Sequence, residues 1–212
     1  MVATPVLEPH VFGPQDFVGG DPVLDFVNTV TGRNGTPRDW IVDYPALLDW
    51  AEKAGALPSH TLAAVRDRAQ REPRDAAAAL ARAKALREAL FDVLSASSQA
   101  RAPATTSLAT IQREWRASHV AYVIAMDDDG GVDLRLDPAA VDFDLVAWVI
   151  ASAAVHGMFH RRSDRLRMCA GADCAWWFID TSKAGRRRWC DMAVCGNTAK
   201  AKRFNARRKT HR

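Results

Sequence analysis

All four cysteines of this 212-residue chain fall in one stretch, at Cys169, Cys174, Cys190 and Cys195. Four residues separate the members of each pair, and fifteen separate the pairs. Two matched pairs flanking a hairpin-sized segment let four thiolates converge on one tetrahedral ion, and zinc accepts such a set with bonds of about 2.3 Å. Four thiolates leave no open position, so the expected cofactor is one structural Zn2+ rather than a catalytic one. Two disulfides and an iron–sulfur cluster are the competing readings. The first calls for an oxidising compartment, whereas residues 1–17 show no basic segment leading into an apolar run, which makes a cytoplasmic location the expectation. The second ordinarily uses other spacings.

Charge adds a second chemistry. From residue 161 onward there are 15 Lys/Arg against 4 Asp/Glu, a net of +11, while the preceding residues carry a net of −7. An acidic body with a basic tail points to an anionic partner for the tail, and clustered guanidinium and ammonium groups neutralise phosphates. Arg186, Arg187, Arg188, Lys200, Lys202, Arg203, Arg207 and Arg208 are the candidates for contact with nucleic acid, double-stranded DNA above all. Some of them would merely offset the formal −2 of four thiolates on a divalent ion. Trp176, Trp177, Phe178 and Trp189 are expected to cover the metal rather than to stack on bases.

Other constellations are weaker. His156 and His160 share a helical face but lack an acidic partner, and Asp127, Asp128 and Asp129 read as a solvated turn rather than a calcium loop. No nucleophile elbow, HExxH or phosphate loop occurs, so no enzyme is expected. The longest apolar run, Leu145 to Val155, is too short for a bilayer span.

The elements that must position these groups read as mostly helical. Helices are expected over 21–30, 44–57, 59–70 with Ser59 as a cap, 74–98, 107–118 and 142–160, with a loop over 31–39. Strands over 120–126 and 132–136 form a β-hairpin. Between the cysteine pairs, 175–179 is strand-like and 186–189 returns the chain. Beyond Cys195, Gly196 permits a tight turn and Asn197 or Thr198 caps a helix over 199–208. The fold class is α+β: a mostly helical N-terminal domain with one β-hairpin, and a small treble-clef-like zinc module at the C-terminus.

The segment CAGADCAWWFIDTSKAGRRRWCDMAVCGNTAKAKRFNARRK, from Cys169, resembles the CGNR-type zinc finger, and GGDPVLDFVNTV, from Gly19, resembles the start of the ABATE domain. The resemblance implies an ABATE-like domain over 1–162 and a CGNR finger over 163–212. It further implies a bacterial, stress-associated transcription regulator, with the four cysteines as zinc ligands and the finger as the DNA-binding part. Thr198 stands where the signature has arginine. The N-terminal domain is expected to sense a small-molecule effector or to form a homodimer; Asn28 either faces that effector or, the stronger expectation, satisfies a buried backbone group. The alternative is a protein- or RNA-interaction module whose zinc unit is only a staple.

Overall fold

A computed structural model describes residues 4–126, 129–160 and 165–202, the side chain of His160 apart. Arg203, Arg207 and Arg208 lie outside the described residues, as do Asp127 and Asp128. The chain divides into two compact units, residues 1–40 with 162–212 and residues 41–161.

The second unit is the helical one. Its first helix, α2 (Tyr44–Lys53), begins where the Asp43 carboxylate accepts from the Ala46 amide at 2.9 Å. It stops short of the expected Leu57 because Gly55 turns left-handed at φ +62°. Helix α3 (Ser59–Arg71) has Pro58 at its cap position and no side-chain cap, so Ser59 lies in the first turn instead of capping it. The 26-residue α4 (Pro73–Ser98) buries Ala76, Ala79, Ala83, Leu86, Leu90 and Leu94 at helical spacing. Its Ala-rich half thus contributes close-packed small residues to the core. Helix α5 (Thr105–Ser118) and the apolar α6 (Leu145–His156) pack with it.

Asp144 holds the N-cap position of α6, but its side chain makes no cap bond. Its carboxylate receives two bonds from Arg82 at 2.8 Å each, tying α4 to the start of α6. Tyr44 donates to the Phe143 carbonyl at 2.7 Å, and burial pushes its hydroxyl pKa up. His156 accepts from the Trp115 indole at 3.2 Å, a link between α5 and α6. Strands β4 (Tyr122–Met126) and β5 (Val132–Leu136) form the expected hairpin.

In the other unit, α1 (Pro22–Val27) is capped by Asp21, whose carboxylate accepts from the Val23 amide at 2.9 Å. Val30 leaves the helix for β2 (Val30–Thr31), which pairs antiparallel with β3 (Arg38–Asp39), so part of the expected 31–39 loop is strand. Strand β1 (Val6–Leu7) lies parallel on the other side of β3. Gly32, at φ +69°, turns the chain where a Cβ would meet the Thr36 carbonyl.

The strand expected over 175–179 is β7 (Trp177–Ile179), but its partner is β6 (Leu166–Met168), ahead of Cys169. The hairpin therefore encloses the first cysteine pair, whose knuckle is its turn. Residues 186–189 are irregular rather than a paired strand, and the Arg188 carbonyl accepts from the Ala170 amide in the turn at 2.9 Å.

Candidate metal centre

The knuckle forms because Gly171 lets the backbone fold over sulfur. Its amide donates to Cys169 Sγ at 3.4 Å, and an added Cβ would lie 3.1 Å from Cys174 Cβ and 3.4 Å from the Cys169 and Cys195 sulfurs. Ala175 then takes a left-handed turn at φ 61°, and the Cys169 amide donates to the Trp176 carbonyl at 2.8 Å. The second pair sits on a different device. Asp191 accepts from the Val194 amide at 2.8 Å and caps a π-helical turn, Met192–Gly196, that runs directly into an α-helix over 197–202.

Asn197 and Thr198, expected to cap that helix, are inside it. Their side chains donate back to the Ala193 and Val194 carbonyls at 3.0 and 2.9 Å. Asp191 wins the cap because it precedes the wound turn that carries Cys195. Gly196 is helical rather than a knuckle turn, and the Met192 side chain fills the space where its Cβ would be.

All four sulfurs lie within 4.8 Å of one another, with Cys174–Cys190 and Cys190–Cys195 at 3.7 Å. Tetrahedral zinc with 2.3 Å bonds needs sulfurs about 3.8 Å apart, so the donor set fits the ion. The acid–base chemistry of the bare cluster agrees. Hydrogen bonds from Cys174 and Cys190 hold the Cys169 thiol far below the ordinary thiol value. Hydrogen bonding to Cys169 raises Cys174, Cys169 and Cys174 together raise Cys190, and burial followed by the charge on Cys169 raises Cys195. Four thiols packed this closely resist sharing negative charge, and a divalent cation offsets that charge. Bound there, the ion supplies folding free energy to a unit with little core of its own. Cys169, Cys174 and Cys190 are buried and Cys195 half-buried.

The tryptophans serve packing. Trp177 and Phe178 are fully buried, and Trp176 joins Cys169, Cys174 and Cys190 in one cluster with Trp40 and Trp189 against it. Residues 4–40 extend this layer: His10 stacks on Trp40 at 3.8 Å, and Trp40 meets Trp176 edge-on at 5.6 Å. Beside the sulfurs runs a groove of about 760 Å³ lined in part by Arg38, Trp40, Trp176, Arg188, Trp189 and Lys202.

Among the described basic candidates, Arg187 is spent inside the unit. Its guanidinium lies 4.7 Å over the Phe178 ring and donates to the Trp189 and Cys190 carbonyls. Its amide donates to Asp180, which also accepts from the amide and hydroxyl of Ser182. That bonding, led by the Ser182 hydroxyl, holds Asp180 down at about 2. Arg186, Arg188 and Lys200 are exposed, as is Lys202, which meets Asp173 at 3.3 Å.

Asn28 is buried, and its amide is used up: Nδ2 donates to the Trp177 carbonyl at 2.9 Å and Oδ1 accepts from the Trp177 amide at 2.8 Å. It therefore locks α1 to β7. Several site residues escaped sequence reasoning. Asp180 was readable as an Asx turn and Asp191 as a cap, whereas Arg38 and Trp40 have no local signal because only packing brings them to the cysteines.

A chain with a helical unit and a four-cysteine cluster suited to one structural zinc is a zinc-finger protein in class. The CGNR zinc finger model matches residues 165–208, and the ABATE model, described as "Putative stress-induced transcription regulator", matches residues 20–158. The chain belongs to the ABATE family. No curated protein matches it. The two matched families are described by a regulator and a zinc finger, not by an enzymatic activity. Among the described residues no helix is long and apolar enough to cross a membrane.

Proposed function

We propose that this protein is a cytoplasmic transcription regulator that grips double-stranded DNA through the zinc-organised unit, with Cys169, Cys174, Cys190 and Cys195 as the metal ligands. The observation that carries the reading is the exposure of Arg186, Arg188, Lys200 and Lys202 on one small metal-held scaffold, within a segment of net charge +11. Each phosphate neutralised steepens the fall of log affinity with log salt by about 0.9. Fluorescence anisotropy with labelled duplex DNA across a salt series tests it. Binding at low salt is expected to vanish on chelation, and the Arg186→Ala, Arg188→Ala double variant flattens the slope by about 1.8. Absence of binding at low salt, or binding indifferent to zinc removal, overturns the reading. Tighter binding to RNA than to duplex DNA favours the interaction-module alternative.

The groove beside the sulfurs supports a place for a small-molecule effector, since its indoles offer flat apolar faces and Arg38 and Arg188 offer charge. Asn28, consumed by Trp177, does not. A planar anionic ligand seated there quenches tryptophan fluorescence, and Trp40→Ala abolishes the quenching.

A further inference from the structure

The β4–β5 hairpin carries none of the four cysteines and none of the basic residues proposed to contact DNA. Its register pairs Tyr122 with Leu136, Ile124 with Leu134 and Met126 with Val132, and cross-strand partners share a face. One face of the ribbon therefore carries only apolar side chains and the ring of Tyr122. On it Ile124 is 78%, Met126 69%, Val132 76% and Leu134 57% exposed. Among the described residues the sheet has only these two strands, and a lone pair is marginal where three or more are stable. Soluble proteins blunt such edges with lysine, proline or bulges. In β5 the devices are a single acid and a single base, Asp133 and Arg135, on either side of Leu134.

Those two charges specify what pairs with the edge. When β5 meets β5 of a second copy antiparallel about Leu134, Val132 faces Leu136, Leu134 faces Leu134, and Asp133 faces Arg135, twice over by symmetry. A slip of one residue turns the apolar face of one copy against the charged face of the other. Slips of two residues keep the faces but set Asp133 against Asp133 or Arg135 against Arg135. Among these antiparallel registers only the centred one keeps the apolar faces together without a like-charge clash, so the sequence encodes both attraction and discrimination. In the single chain both charges guard their own edge: the Leu134 amide donates to the Asp133 carboxylate at 2.8 Å, and Arg135 Nε lies 3.9 Å from that carboxylate.

We propose that the protein dimerises through β5, edge to edge and antiparallel about Leu134, giving a four-stranded sheet in the order β4-β5-β5-β4 with one continuous apolar face. Sedimentation equilibrium of the full-length zinc-loaded protein tests this. The wild type is expected to pass from 23.3 kDa to twice that mass as concentration rises. Asp133→Arg and Arg135→Asp, each placing like charges opposite one another twice, weaken association at least tenfold, and the D133R/R135D double variant restores it. A partner other than a second copy would not be recovered by swapping both charges within this chain. A wild type monomeric to hundreds of micromolar, single swaps that dimerise like the wild type, or a double swap that fails to rescue would each overturn the proposal. Should a single swap disturb folding, as seen by circular dichroism, Leu134→Cys with a short-span dimaleimide reads the same contact. Crosslinked dimer is expected, and its absence counts against the interface.

Discussion

At the scale of single residues, two polar groups in the buried GGDPVLDFVNTV segment carry opposite energetics. Asn28 satisfies both backbone groups of Trp177, 149 residues away. Asn28→Ala leaves a buried N–H and a buried C=O without partners, at roughly 1–3 kcal/mol each, so a loss of about 2–6 kcal/mol is expected in urea unfolding followed by tryptophan fluorescence. An effect below 1 kcal/mol would deny the clamp. Asp25 is the reverse case. Its carboxylate accepts from the Gly19 amide at 2.8 Å, yet desolvation by burial dominates and, with Asp21 nearby, pushes it up to about 6. The folded state thus holds this proton more tightly than the unfolded chain does. The associated stability is present below the ordinary value of 3.8 and is lost as pH rises through about 6. Asp25→Asn removes that dependence, so its stability relative to wild type should climb between pH about 4 and about 6 in paired unfolding curves. A pH-independent difference would show that Asp25 is not the group titrating. The sequence announces that a polar side chain within FVNTV must be satisfied; it is silent on the partner, because pairing across 149 residues leaves no local trace.

Elements were legible where a local rule decides them. Apolar spacing announces helices beginning near 21 and 44, which the structure shows capped by Asp21 and Asp43, and alternation announces the β4–β5 hairpin. Reading failed where local candidates compete or where a strand is too short to have a period. Ser59, Asn197 and Thr198 all have capping chemistry, but Pro58 and Asp191 hold the positions. The three residues of β6 show no alternation by which to pair them with β7. The cysteine spacing did foretell the cluster, since two knuckles of equal length converge on one point whichever strand precedes them. What spacing could not show is how little room surrounds the sulfurs. A methyl group at Gly171 would press on Cys174 and on the Cys169 and Cys195 sulfurs, at 3.1–3.4 Å. Gly171→Ala is therefore expected to weaken zinc binding by about tenfold in chelator competition while the helical unit keeps its melting transition. Cys169→Ser and Cys195→Ser, which remove ligands outright, should abolish stoichiometric zinc in metal analysis. Full zinc in either serine variant would refute the ligand set.

For the whole molecule, the units made by packing are not the units made by chain order. The ABATE match begins at residue 20 and ends at 158, yet residues 1–40 pack with 162–212, so the family's opening motif is built into the metal-bearing unit. The cause lies in α1, whose Val23, Leu24, Phe26 and Val27 are at most 1% exposed and which packs on β7, and in the Ile179 amide, which donates to the Gly19 carbonyl at 2.9 Å. The finger is too small to supply a core alone, and α1 supplies the apolar volume that it lacks. Stability contributed by the metal should then reach residues far from it in sequence. Hydrogen exchange with and without chelator reads this peptide by peptide. Zinc removal is expected to strip protection from 165–202 and also from 20–31, while α4 and α5 retain theirs, because a local opening follows packing and not chain order. Protection that persists over 20–31 when the finger opens would mean that α1 folds independently of the metal. Loss of protection in every helix at once would mean that the two compact units unfold as one.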